Sequence, residues 1–134
     1  MPVTLMNPGG LMKTDMYSQV AVATGTRQVH VAGQVAYDAN GQIVAPGDLA
    51  GQVEQAYRNV VVALEAAGAT LEDVVRLTIY VAGWTMAMMP EFLAGMERAA
   101  GAFGRARAPA SLIGVTVLFD PAFLVEIEAT AVLD

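Results

Sequence analysis

The sequence predicts an α+β fold in which two helices cover one face of a mixed sheet and leave the other face open. Three observations predict it. The chain of 134 residues has the length of one domain. Its apolar residues recur at strand or helix spacing in the order ββαβαββ. Both helical segments lie between strands and need an apolar sheet face to cover. We therefore expect a single domain over residues 1–134, with no internal repeat or linker.

The first two strands are predicted within residues 17–37, where valines alternate with other residues on both sides of a break at residues 24–26. This pattern is typical of a β-hairpin. Asn40-Gly41 then indicates a turn, because both residues tolerate positive φ. The segment after the second strand is therefore expected to leave the sheet as a loop.

The first helix is predicted over residues 49–67, where apolar residues follow one another at helical spacing. Asp48 can cap its start by accepting a backbone N–H, and Gly68 can end it in the left-handed conformation. The third strand is then "VVRLTIYVAG", which alternates. Pro90 opens the second amphipathic helix, because proline is favoured in a first helical turn.

The tail predicts two further strands, "SLIGVTVLF" and "FLVEIEATAVL", separated by a proline, Pro121. In the last strand Val125 and Ile127 point to one face, and Glu126 and Glu128 point to the other. Two interpretations remain open for these acids. They belong either to a solvated sheet face or to a partly dry crevice, where a carboxylate suits acid–base chemistry on water.

Composition and charge exclude several classes of function. The net charge of −6 opposes a phosphate backbone, so nucleic acid is not an expected partner. The absence of cysteine excludes disulfides and thiolate chemistry, and one histidine, His30, does not make a zinc site. We expect no metal and no cofactor.

The apolar content indicates an oligomer. Hydrophobic residues make up 55% of the chain and charged residues 15%, which is little polar cover for a small protein. Part of the apolar surface is therefore expected to contact another subunit. The start of the chain lacks the features of a signal peptide, and no apolar run reaches the roughly 20 residues that span a bilayer. We expect a cytoplasmic protein without membrane contact.

Five short motifs occur in an order that resembles one known family. They are Tyr17-Ser18-Gln19, Ala32-Gly33-Gln34, Ala66-Ala67-Gly68 followed by "LEDVVRLTIYV", Pro109-Ala110, and the terminal "VEIEATA". Over nearly its whole length the chain resembles the Rid (reactive intermediate deaminase, YjgF) family. The resemblance implies a homotrimer of chorismate-mutase-like subunits with a barrel-like core and three clefts between neighbours. It also implies hydrolysis of small imines and enamines, without a metal or cofactor.

The resemblance assigns roles to individual residues. It implies that Glu126 positions and activates the hydrolytic water, whereas Glu128 matches a second acid that is not usually given this role. The substrate-binding residues that it implies are the cleft tyrosine Tyr17, a backbone contact at Gly33, and nearby polar positions at Gln19 and Gln34.

The chain departs from the family pattern after Pro109-Ala110. Family members that deaminate carry an arginine there for the substrate carboxylate, and this chain has Ser111. Arg105 and Arg107 remain alternatives for reaching the cleft, although both are also typical of a surface loop. Trp84 is a further candidate: it either edges the cleft, favouring an apolar ligand, or packs in the core or trimer seam.

Two functions are weighed for this pattern. The first is a hydrolase of small imines, enamines or related metabolites, in which Ser111 places activity on 2-imino acids in doubt. The alternative is a non-catalytic trimer that binds a small metabolite in the same clefts. Ribonuclease or translation-inhibitor activity, described for some relatives of the family, comes third because of the acidic charge.

Overall fold

Two sheets and two helices make up the computed structural model, which describes residues 2–134. The helices are α1 (Leu49–Ala66) and α2 (Met89–Phe103). The strands are β1 (Val3–Met6), β2 (Val20–Ala23), β3 (Arg27–Gln34), β4 (Val74–Ala82), β5 (Ala110–Val115) and β6 (Val125–Leu133). Short 3-10 helices at Leu71–Asp73 and Met86–Met88 precede β4 and α2.

The main sheet has the strand order β3-β6-β4-β5. Its β4–β5 pair is parallel, whereas β6 runs antiparallel to both of its neighbours. The sheet is therefore mixed, and α1 and α2 pack against each other and cover one face of it. This confirms the predicted α+β architecture.

The core lies between the helices and one face of β4 and β6. Along β6 buried and half-buried residues alternate without exception, which is the period of a strand with one face covered. The buried residues of this core include Leu77, Ile79, Val81, Val125, Ile127 and Ala129 of the sheet, and Val53, Val60, Leu64, Phe92 and Ala99 of the helices. The opposite face of the sheet remains open.

The predicted helix signals are confirmed at both ends of α1. The Asp48 carboxylate accepts a hydrogen bond from the Gly51 N–H at 3.1 Å, and Gly68 adopts a φ of 79° after the last turn. The helix ends at Ala66, one residue earlier than predicted. In α2, Pro90 lies in the first turn, as expected for a residue that lacks an N–H.

The predicted hairpin within residues 17–37 is wrong. Strand β2 pairs with the N-terminal strand β1, and β3 pairs with β6 in the main sheet. The break at residues 24–26 carries the chain between the sheets: the Thr24 N–H donates to the Pro2 carbonyl at 2.8 Å, and the Thr26 N–H donates to the Leu133 carbonyl at 3.0 Å. Strand β1 was not predicted from the sequence, because it has four residues and no clear alternation.

A buried glutamine fixes the entry to β6. Gln52 of α1 is fully buried, and its amide donates to the Ala122 carbonyl at 3.1 Å and to the Ala45 carbonyl at 3.3 Å. Its Oε1 accepts from the Leu124 N–H at 2.8 Å. Strand β5 ends at Val115, earlier than predicted, and the loop that follows is held by this amide just before β6 begins.

Candidate active site

The candidate site lies on the open face of the main sheet, where β6 presents its acids. Val125 and Ile127 point into the core, so the half-buried Glu126 and Glu128 point to the face that the helices leave uncovered. In the register of the sheet, Glu126 lies opposite Tyr80 of β4, and Glu128 lies opposite Thr78. The shared face that the sequence predicted for the two acids is confirmed.

The Glu126 carboxylate lies over the backbone of Gly33. A Cβ atom built on Gly33 would lie 2.6 Å from Cδ of Glu126, which is closer than real Cβ contacts. The pairing of β3 with β6 shifts register between Val31 and Gln34, which places Gly33 in this irregular stretch. Because glycine has no Cβ atom, position 33 leaves space for the Glu126 carboxylate.

The two acids have different partners. Glu128 accepts a hydrogen bond from the Tyr80 hydroxyl at 2.8 Å. This hydrogen bond raises the pKa of Tyr80 above its ordinary value, and desolvation and the charges of Glu128 and Glu126 act in the same direction. Within residues 2–134 the Glu126 carboxylate has no hydrogen-bond or ion-pair partner. Its oxygens are thus available to a water or a ligand.

Ser111 lies on the edge strand β5, opposite Thr78 in the parallel pair. Its hydroxyl accepts a hydrogen bond from Nη2 of Arg76 at 2.6 Å. Arg76 was not among the site residues predicted from the sequence. The alternation "VVRLTIYV" carries the signal that would have found it, because Arg76, Thr78 and Tyr80 are the outward positions of β4.

Of the two arginines that the sequence offered as alternatives, Arg105 borders the same cavity as Tyr17, on the helix side of the sheet. Its guanidinium pairs with Glu97 of α2 at 2.6 Å. Arg107 is exposed and borders a depression that Leu5 and Glu72 also line. Within residues 2–134 Arg76 is the arginine that donates to Ser111.

Tyr17 lies on the other side of the sheet from Glu126. It borders an apolar cavity of about 200 Å³ together with Phe92 and Met96 of α2 and the inward residues Ile79 and Leu112. Since Glu126 points to the open face, one chain does not bring the two side chains together.

The remaining candidates have structural partners. The Gln19 amide donates to the Met12 carbonyl at 2.8 Å, and Oε1 of Gln34 accepts from the Tyr37 hydroxyl at 3.0 Å. Trp84 packs edge-on against Phe92 of α2, with the ring centroids 6.1 Å apart. The site residues that the structure gathers on or beside the open face are therefore Glu126, Gly33 and Ser111.

Within residues 2–134 no three His, Asp or Glu side chains are arranged to hold a metal ion. Neither α1 nor α2 is long and apolar enough to cross a membrane.

Comparison with known proteins assigns the family. The family model described as "Endoribonuclease L-PSP" matches residues 11–133. The chain belongs to this family, which includes the YjgF and Rid proteins. The Rid protein YyfB of Yersinia pestis, whose structure is described as that of a protein of unknown function, is 37% identical. Its TM-score is 0.90, and the match covers 99% of this chain and 100% of that one.

Two further relatives support the assignment. A member of the YjgF family from Mycobacterium tuberculosis is 34% identical with a TM-score of 0.62, and the match covers 98% of this chain and 99% of that one. A RutC family protein of Pyrococcus horikoshii is 33% identical over 115 residues, which are 86% of this chain and 85% of the relative. The similarity therefore extends over nearly the whole Rid-type domain.

Proposed function

We propose that the protein is a homotrimeric Rid-type hydrolase of small imines, enamines or related metabolites, with Glu126 as the residue that positions and activates water. The observation that carries the proposal is the Glu126 carboxylate, half-buried over Gly33 and without a hydrogen-bond partner within residues 2–134. A carboxylate in this setting can accept a proton from water while that water attacks an electrophilic carbon.

The reaction needs only this base and a proton donor. Water adds its oxygen to the imine carbon as Glu126 takes one of its protons, and the C=N electron pair moves to nitrogen, which is protonated. The proton held by Glu126 can then return to the nitrogen. As the C–N bond breaks and ammonia leaves, the hydroxyl of the intermediate gives its proton back to the deprotonated donor, so the carbonyl forms and both groups are restored. An enamine enters the same sequence after it is protonated at carbon to give the imine.

The split of the candidate residues between two faces supports a cleft shared between subunits. Tyr17 and Glu126 lie on opposite sides of one sheet, so a cleft that uses both needs a second copy of the chain. The large side chains of Met86, Val117 and Phe119 are exposed by 72%, 53% and 79%, and they offer apolar surface for such contacts.

Ser111 limits the substrate that we propose. Its hydroxyl carries no charge and is already bound to Arg76, so it offers no two-pronged anchor for a carboxylate beside Glu126. We therefore propose an imine or enamine that does not depend on a carboxylate for binding, and expect slow turnover of 2-imino acids.

The variant Ser111→Arg tests this limit. It is expected to lower the KM for 2-iminopropanoate by about tenfold or more, because two charge-assisted hydrogen bonds contribute on the order of 1.5 to 3 kcal/mol each. The measurement is ammonia release from freshly generated 2-iminopropanoate by the native protein and the variant. Fast turnover by the native protein would show that another group anchors the carboxylate, and no turnover by either would favour the binding function.

Gly33→Ala tests the placement of Glu126 without removing it. The new methyl group would collide with the end of a flexible side chain, so we expect the free energy of unfolding to change by less than about 1 kcal/mol. We expect the hydrolysis rate to fall by about 10- to 100-fold, because the carboxylate must move by roughly an ångström. The checks are a chemical denaturation curve and a rate assay.

Gly101→Ala is the matched control for Gly33→Ala. A Cβ atom at position 101 meets no atom within 4 Å, so this variant should keep the native rate. A Gly33→Ala protein that also keeps the native rate would contradict the assignment of Glu126.

A second candidate function is metabolite binding without catalysis. A cavity with polar walls lies beside the acids on the open face, and this observation favours a binding function. This function predicts that a bound metabolite raises the Tm of the native protein and of Glu126→Gln equally, because water activation is then irrelevant.

A further inference from the structure

The apolar cavity beside Tyr17 lies on the helix side of the sheet, away from the open face. Its walls come from one chain: Met89, Phe92 and Met96 of α2, Leu112 of β5, and Met16 next to Tyr17. Met16 is 47% exposed and Tyr17 is half-buried, so the cavity opens to the surface beside these two residues. It therefore connects the interior of the chain with the position of Tyr17.

The packing of α2 explains why this part of the core is not filled. Gly95 brings α2 close to α1, because a Cβ atom at this position would lie 2.6 Å from the Ala50 carbonyl oxygen. Helix α2 therefore packs mainly on α1 rather than on the edge strand β5. The inward residues Ala110 and Leu112 of β5 are only half-buried, whereas the inward Ile127 of β6 is fully buried. A gap remains between α2 and β5.

The volume of the cavity suits one apolar group rather than a complete ligand. It measures about 200 Å³, whereas sites that enclose a whole drug-sized ligand have roughly 300 Å³ or more. An apolar protein cavity of about 150 Å³, lined by Leu, Ile and Phe, stays dry and binds benzene. A group of about six carbon atoms therefore fits the cavity beside Tyr17.

The charges at the edge of the cavity cancel each other. Arg105 and Glu97 border it and form an ion pair at 2.6 Å, with side chains exposed by 31% and 67%. Within residues 2–134 no other charged side chain lines the cavity. An ion inside it would therefore lose its hydration without gaining an opposite charge, whereas a neutral apolar group has no such cost.

The side chains of the walls favour an aromatic ring. Met16, Met89 and Met96 are flexible, and their thioether sulfur atoms make favourable contacts with aromatic rings. Phe92 adds a ring against which a second ring can pack. The lining therefore adapts to a flat group that enters beside Tyr17.

We propose that this cavity holds the substituent of the substrate, and that this substituent is an aromatic ring. The inference rests on the proposed hydrolase function, in which Tyr17 shares a cleft with Glu126 of a second copy of the chain. A substrate whose C=N group lies near that carboxylate extends its ring past Tyr17 into the cavity. The preferred substrate is then a neutral aromatic ketimine, which reacts with one water to give the aromatic ketone and ammonia.

Hydrolysis of two neutral imines by the native, assembled protein tests the preference. The imines of acetone and of phenylacetone differ by one phenyl ring. We expect kcat/KM to be about 100-fold or more higher for the phenylacetone imine, since a single methylene in an apolar pocket contributes about 10- to 200-fold. The measurement is the initial rate of ammonia release above the buffer rate.

Calorimetric titration with the product ketones tests the cavity without the reaction. Phenylacetone should bind at least about tenfold more tightly than acetone, and Glu126→Gln should keep this difference because Glu126 does not line the cavity. If phenylacetone binds in this way but neither imine is hydrolysed, the hydrolase function is wrong and the cavity still holds a ring. If both imines are hydrolysed at equal rates and both ketones bind equally, hydrolysis stands and the assignment of the cavity is wrong.

Two variants change the size of the cavity in opposite directions. Ala110→Leu adds an isopropyl group to its wall and should raise the Kd for phenylacetone by about tenfold or more. The control Ala102→Leu makes the same change at an exposed position of α2 and should leave this Kd unchanged. Leu112→Ala enlarges the cavity and should shift the ratio of the Kd values of naphthylacetone and phenylacetone by about tenfold towards the larger ketone. A general loss of structure would weaken both ketones and would not produce this shift.

Three results would overturn the proposal. They are equal Kd values of the native protein for phenylacetone and acetone, an unchanged Kd for phenylacetone in Ala110→Leu, and no shift towards the larger ketone in Leu112→Ala. If the native protein binds neither ketone and Ala110→Leu lowers the assembly mass in light scattering, a side chain of a neighbouring copy fills the cavity instead of a substrate.

Discussion

Replacing Glu126 with glutamine is expected to lower the rate of imine hydrolysis by about 100- to 10,000-fold, the usual contribution of a positioned general base. Glutamine has nearly the shape of glutamate, but its amide cannot take a proton from water at neutral pH. The Glu126 carboxylate has no hydrogen bond or ion pair within residues 2–134 that the change would break. We therefore expect the free energy of unfolding to stay within about 1 kcal/mol of the native value.

The measurement is the initial rate of ammonia release with Glu126→Gln and native protein at matched concentration. Glu65→Gln is the control, because it makes the same chemical change at an exposed position near the end of α1. It should keep the native rate. If Glu126→Gln retains the native rate, then Glu126 is not the base, whatever the protein hydrolyses.

Replacing Gln52 with leucine is expected to give the largest loss of stability. Leucine has a similar volume but cannot bond the Leu124 N–H or the carbonyls of Ala45 and Ala122. Each buried group left without a partner costs on the order of 1 to 3 kcal/mol. Since some of these groups can turn towards water, we expect a total loss of about 2 to 4 kcal/mol.

Chemical denaturation followed by circular dichroism measures this loss. Gln42→Leu is the matched control, because Gln42 is exposed and its side chain makes no hydrogen bond within residues 2–134. Its unfolding free energy should change by no more than about 0.5 kcal/mol. Equal curves for Gln52→Leu and the native protein would show that the buried amide does not hold the loop before β6.

The parts of the fold that the sequence predicted are those with a strong local period. Residues 125–131 alternate between apolar and polar side chains, and the buried positions of β6 follow that alternation. The helix cap at Asp48 was predictable because it depends on residues three apart. The pairing partner of β2 was not predictable, because its pairing with β1 joins residues such as Val3 and Ala23 that are distant in sequence.

Part of the candidate site was predictable from the sequence, because it too depends on a local period. Alternation placed Glu126 on the open face, and the family resemblance singled it out. The contact between Arg76 and Ser111 joins residues 35 positions apart through the β4–β5 pairing, which a sequence pattern does not specify. The position of Tyr17 behind the sheet likewise depends on how the N-terminal segment packs against α2.

The most direct test of the proposed hydrolysis is a count of turnovers. Native protein is mixed with a panel of freshly generated neutral and anionic imines, and the ammonia released above the buffer rate is divided by the amount of protein. We predict many equivalents of ammonia per chain with at least one neutral imine, and a loss of this excess in Glu126→Gln. Release no faster than buffer with every imine would contradict the hydrolase function and leave a protein that binds its metabolite without converting it.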